Sequence, residues 1–272
     1  SQSNPNKAKA DKSPNTKSTS TPNTERNAMT KKVGLIGAGA IGTVLAEAIE
    51  HKLIACEELI VFDANKDKAE KLKTSVTFPV KIASNLDELL AANPEVIVEA
   101  AGQGAVQEYY TKLTATNAEL IFMSTGALLD LQLTPKVHFP AGAIGGLDAL
   151  SAAANAGINE ITLTTRKNPK ALGKTDTQET TIYQGTAEEA AKLFPREMNV
   201  AATIALTVKP TKVQVRVISD PKITRNTHEI IVKWQYGEMQ LKFANQPHPD
   251  NPHTSALAAW ATIQLLQKLL SI

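Results

Sequence analysis

Apolar and polar positions change rhythm once along this chain, near Leu150. Before it, Val33–Ile36, Leu59–Phe62, Val96–Glu99 and Leu120–Met123 are short apolar runs of the kind buried on both faces of a sheet. Phe78–Ile82 reads as a further strand. Helical patterns lie between them. Ala40–Glu50 spaces Ile41, Val44, Leu45 and Ala48 on one side, and Asp67–Lys73 and Val106–Thr114 are shorter. Asn85 caps a helix through Ala92, with Glu88 three residues on. Strands alternating with helices predict a parallel sheet covered on both faces.

After Leu150 the period becomes two. Lys212–Ile218 puts Val213, Val215 and Val217 on one face and Gln214 and Arg216 on the other. Ile161–Thr165 and Thr181–Gln184 read as strands, and His228–Trp234 and Met239–Phe243 as a hairpin turning near Gly237. Thr186, with Glu189 three residues on, caps a helix ending before Pro195. This predicts a largely antiparallel sheet, one face of which offers itself to another subunit. Thr254–Leu270 is a strongly apolar helix expected to pack back onto the first unit.

Residues 1–30 are different material. Eighteen of the thirty are Ser, Thr, Asn or Pro, too few apolar groups to offset the entropy of ordering, so the segment reads as a disordered leader. Met29-Thr-Lys-Lys-Val33 resembles a natural start. The leader also carries the charge: it holds five basic and two acidic residues, against 24 and 25 in the other 242. The net +2 therefore makes no case for nucleic-acid binding. No apolar run reaches the ~20 residues of a membrane span. The single cysteine, Cys56, excludes a disulfide framework and fits a reducing cytoplasm. The five histidines show no metal-binding spacing, so no metal is expected.

The sharpest motif is Gly37-Ala-Gly39-Ala40-Ile41-Gly42, which follows a strand and opens a helix. Gly37 serves the tight turn, Gly39 the approach of a pyrophosphate, Gly42 the close helix packing, and the helix N-terminus favours phosphate. Asp63 ends the second strand, where a carboxylate binds the ribose hydroxyls and repels a 2′-phosphate. NAD is thus expected, with NADP possible through nearby Lys66. Small-residue turns at Ala100–Gln103, Ser124–Ala127 and Ala141–Gly146 leave room for ribose and nicotinamide, or are plain strand-to-helix turns. The Gly145-Gly146 amides are candidates for a substrate carboxylate, and Arg166 and Lys167 are unassigned positive charge. His228, at a strand start, is the best catalytic histidine, with an imidazole suited to neutral pH. Asn199 reads as a helix cap over Val200–Leu206.

Taken in order, these stretches resemble the NAD(P)-dependent L-aspartate dehydrogenase family from Lys32 onward. The specific ones are Gly142-Ala-Ile-Gly-Gly-Leu-Asp-Ala-Leu150, Arg166-Lys-Asn-Pro169, Asn199-Val-Ala-Ala-Thr203, Thr227-His228-Glu229 and Asn251-Pro-His-Thr-Ser255. The resemblance implies an α/β chain: a Rossmann dinucleotide-binding domain over 31–140, an α+β catalytic and dimerisation domain over 141–252, and the C-terminal helix 253–272. It implies reversible oxidation of L-aspartate to iminoaspartate, then oxaloacetate and ammonia, in a homodimer, with a place in pyridine-nucleotide synthesis. It makes His228 the active-site histidine and puts Ala127 and Asn199 against the nicotinamide. The competing readings are a related dehydrogenase of another amino or 2-oxo acid, or a silent NAD-sensing protein.

Overall fold

The computed structural model describes residues 31–271, without the side chains of residues 252 and 253; the leader lies outside them. Its first half is a strand–helix series: β1 (Lys32–Ile36), α1 (Ala40–Glu50), β2 (Glu58–Phe62), α2 (Lys66–Thr74), β3 (Val80–Ile82), α3 (Leu86–Ala91), β4 (Val96–Glu99), α4 (Gln103–Thr114), β5 (Glu119–Phe122) and β6 (Val137–His138). The strands form one parallel sheet in the order β3-β2-β1-β4-β5-β6. The order reverses between β1 and β4, which opens a crevice beyond their carboxyl ends. Alternate residues feed opposite faces: Val33, Leu35 and Val98 join one apolar cluster, Ile36, Ile60 and Ile97 the other. That two-sided burial is why these strands read as unbroken apolar runs.

One helix start and one capping contact differ from expectation. α4 begins three residues earlier than Val106, because Gly102 (φ 134°) turns the chain directly into it and the glycines carry no periodic signal. In α3, Asn85 accepts from the Glu88 N–H, but Glu88 reaches the Ser84 N–H rather than closing a box on Asn85.

The second half comprises α5 (Leu147–Ala156), β7 (Ile158–Lys167), β8 (Thr180–Thr186), α6 (Ala187–Leu193), α7 (Asn199–Thr207), β9 (Gln214–Ser219), β10 (Asn226–Trp234) and β11 (Gly237–Asn245). These strands pair as β11-β10-β7-β9-β8, antiparallel except for β7 beside β9. Leu150, Ala190, Ala201 and Ile204 from the three helices cover the face carrying Leu163, Val215, Val217 and Ile230. The opposite face presents Thr162, Thr164, Arg216, Glu229 and Ile231, the last 43% exposed.

The chain closes with the short pair β12 (Pro247–His248) and β13 (Asn251–Ser255), then α8 (Ala256–Leu270). The last helix starts two residues later than Thr254 because the extended β13 pairs with β12 up to Ser255. Its Ile263, Leu266 and Leu270 complete the cluster under β1 and β2, and Lys31 Nζ donates to the Leu270 carbonyl.

Candidate active site

A cleft of about 710 Å³ runs from the crevice of the parallel sheet to the near end of the second sheet. At one end lies the glycine turn. Gly37 has φ 101°, and a methyl added there would lie 2.6 Å from the Ala100 carbonyl oxygen. A methyl on Gly42 would meet the Gly37 carbonyl oxygen at 2.6 Å, whereas one on Gly39 meets nothing within 4 Å. Gly37 and Gly42 therefore serve the turn itself, and Gly39 leaves open space at the start of α1. That helix has no side-chain cap, so its first N–H groups, those of Ala40, Ile41 and Gly42, face outward without intrahelical partners. Asp63 Oδ2 accepts from the Ala38 N–H (2.8 Å) and Oδ1 from the Asn65 N–H (2.7 Å), which fixes the carboxylate beside the turn. Lys68, not Lys66, lines the cleft nearby.

In the middle, a buried carboxylate organises two strand-end turns. Glu99 Oε1 accepts from the N–H groups of Ala101 and Gly102 (both 2.8 Å) and from Ser124 Oγ (2.9 Å); Oε2 accepts from the Ser124 N–H (3.1 Å). Burial pushes its pKa up and these donors pull it back, burial winning. Next to Ser124, Thr125 Oγ1 donates to the Asn199 carbonyl (2.9 Å) and accepts from Thr203 Oγ1 (3.1 Å), joining the turn to α7. The sequence reading missed Glu99; its one signal was an acid ending an apolar strand before Ala-Ala-Gly.

At the far end stand Asn199, Lys167 and His228. Asn199 is the first residue of α7, and the cap position belongs to Met198. The expected capping role fails because position N1 comes one residue too late to accept from the first turn. Its Oδ1 is instead buried with no hydrogen-bond partner. His228 is 2% exposed, and its Nδ1 lies 2.9 Å from Thr165 Oγ1. Burial, reinforced by the charge of Lys167, brings its pKa down to about 3. An imidazole titrating near neutrality is thus corrected: the ring rests neutral because burial and the nearby lysine charge penalise its protonated form.

Of the other expected residues, Ile41 lines the cleft, while Ala127 packs partly buried against the cluster beneath the turn. The Gly145-Gly146 turn is not on the wall; a methyl on Gly146 would strike Leu241 at 2.9 Å. Strand alternation splits the two unassigned charges. Arg166 faces away, bound to Glu179 (2.8 Å) and Asp220 (3.1 Å), and Lys167 faces in. Cys56 is remote, its thiol pushed up to about 11 by burial, which leaves no thiolate nucleophile. Among the described residues no three His, Cys, Asp or Glu side chains cluster to hold a metal, and no helix is long and apolar enough to cross a membrane.

Open space over Gly39, outward N–H groups and an orphaned amide oxygen fit a nicotinamide dinucleotide lying along the cleft. The sheet order, the glycine turn and this cleft define a nicotinamide-dependent dehydrogenase. Comparison with known proteins makes the class narrower. Residues 37–145 match the NAD-binding domain of homoserine dehydrogenase, and residues 148–269 match the C-terminal domain of aspartate dehydrogenase. The L-aspartate dehydrogenase of Methanosarcina barkeri is 36% identical over 264 residues, 88% of this chain and 97% of that protein. That of Archaeoglobus fulgidus is 37% identical, covering 87% of this chain and 97% of its own. The crystal structure of the Thermotoga maritima aspartate dehydrogenase superposes with a TM-score of 0.71 at 29% identity, over 88% of this chain and 96% of that one. The chain belongs to the L-aspartate dehydrogenase family.

Proposed function

We propose that the protein catalyses the reversible oxidative deamination of L-aspartate to iminoaspartate, and thence to oxaloacetate and ammonia. The arrangement that carries this reading is His228 and Asn199 together on the wall of a cleft whose other end is the glycine turn. Bound there, the nicotinamide supplies a hydride acceptor for the substrate α-carbon, or a donor in reverse. The Ala40, Ile41 and Gly42 amides would hold the pyrophosphate, and Asp63 the adenosine ribose, favouring NAD over NADP. The orphaned Asn199 Oδ1 would accept from the carboxamide, with the turn bearing Ala127 behind the ring.

His228 is the general acid–base group. Its neutral resting form is the form a base requires, and Thr165 fixes the ring through Nδ1, leaving Nε2 for the proton of the water that attacks the imine. In reductive amination the proton moves the other way. Two copies pair through the uncovered face of the second sheet, around Ile231, and the half-buried Cys56, its thiol pushed up to about 11, is at home in a reducing cytoplasm. Mixing protein, NADH and oxaloacetate with and without ammonia tests the reading. NADH oxidation that requires ammonia supports it; ammonia-independent oxidation points to a 2-oxo acid reductase instead.

A further inference from the structure

The inner face of the second sheet is aliphatic for most of its length and polar at the end that meets the cleft. Leu163, Val217 and Ile230 give way, two residues on or back along their strands, to Thr165, Ser219 and His228, with Lys167 and Asn226 beyond. All five polar residues are buried. Thr165 pairs with His228 across β7 and β10, and Lys167 follows Thr165 by two, so the lysine stands diagonally from the histidine on the same face.

The wall of the cleft carries three lysine or arginine side chains among the described residues, and they are not equivalent. Lys68 lies toward the glycine turn, and Arg196 sits exposed on the loop before α7. Lys167 is 3% exposed, beside the candidate acid–base residue. Burial outweighs the pull of the Glu197 carboxylate and brings the amine down to about 8. A charge-assisted hydrogen bond made to a ligand in so dry a place is far less screened than at the exposed rim.

We propose that Lys167 receives a carboxylate of the dicarboxylate substrate and is a specificity-determining residue of the reaction. The inference rests on the functional reading above and adds the group that recognises the substrate. A carboxylate seated there also offsets the lysine charge that helps keep His228 neutral, so substrate arrival makes the imidazole a stronger base.

The test measures binding of succinate, an unreactive dicarboxylate, to the NADH-saturated protein by calorimetry. A hydrogen bond to a charged group is worth about 1.5–3 kcal/mol, so K167M should raise the succinate Kd about 10- to 100-fold. NADH affinity and melting temperature should stay near wild type, and K167R should bind succinate better than K167M. In turnover, the oxaloacetate KM should rise more than kcat falls. K167Q replaces K167M if the latter melts early. A K167M or K167Q succinate Kd within about threefold of wild type overturns the inference, as does an equal loss of NADH affinity. Wild-type protein that binds no succinate also overturns it, whereas the absence of ammonia-dependent NADH oxidation overturns the functional reading; the two failures are read in separate assays.

Discussion

The two ends of the cleft are made from different material. At the glycine turn backbone packing sets the shape: Gly37 and Gly42 pack so closely that a methyl on either would lie 2.6 Å from a carbonyl oxygen. At the second sheet the wall is side chains: Lys167 and His228 project into the cleft from strands that also turn aliphatic Leu163 and Ile230 inward. A packed backbone turn is sensitive to any added atom and indifferent to charge. A side-chain wall keeps its shape under conservative replacement and loses its chemistry. The sharpest experiments set these sensitivities against each other.

The largest effect belongs to the side-chain end. Positioned proton transfer contributes ~10²–10⁴-fold, so His228→Ala and His228→Asn should each lose about that much turnover while NADH affinity holds. Near-normal turnover in both would move the proton-transfer role elsewhere. Gly37→Ala should show the converse pattern. With φ 101° and the Ala100 oxygen 2.6 Å away, the turn must shift, and NADH binding should weaken by about tenfold or more, with a loss of about 1–3 kcal/mol in stability. Fluorescence titration alongside thermal melting separates this from a loss of turnover alone.

A pH effect on stability distinguishes the ends again. The unfolded chain protonates His228 near ~6.5, but burial holds the folded ring neutral down to about 3. Between those values the unfolded state binds more protons, so the protein loses stability as pH falls, by up to about 1.4 kcal/mol per pH unit from this group. His228→Asn should flatten that limb in denaturant titrations at several pH values; an unchanged slope would show that the histidine titrates in the folded state. Asp63→Ala should move the ratio of NAD to NADP catalytic efficiency toward NADP, and a wild type that already prefers NADP would refute the carboxylate's assigned role. The smallest effect is expected at Ile231→Thr on the uncovered sheet face: monomer stability within about 0.5 kcal/mol of wild type, with a shift from dimer to monomer in sedimentation.

What the sequence made legible follows the same division. The backbone end was readable because glycine at Gly37 and Gly42 answers to local geometry, and because strands buried on both faces announce themselves as apolar runs. Val213, Val215 and Val217 likewise fell on one face as their alternation required. The side-chain end resisted because it is assembled from residues distant in sequence. Lys167 and His228 are brought together by strand pairing, and nothing near either says that Lys167 faces inward while Arg166 turns to Asp220. Asn199 looked like a cap because caps and first-turn residues share the same polar types; only the backbone angles of Met198 separate them. The near-neutral His228 was wrong for a related reason: a pKa is a property of burial, which no single residue encodes.

The position of α8 has a consequence for how the chain is made. β1 leaves the ribosome about 220 residues ahead of the helix whose Ile263, Leu266 and Leu270 seal the cluster beneath it. At ~5–20 residues per second, the nascent parallel sheet waits about ten to forty seconds with that apolar face uncovered. The cofactor-binding half, although first to be synthesised, is therefore among the last parts to become native, and the interval is one in which a chaperone has something to hold.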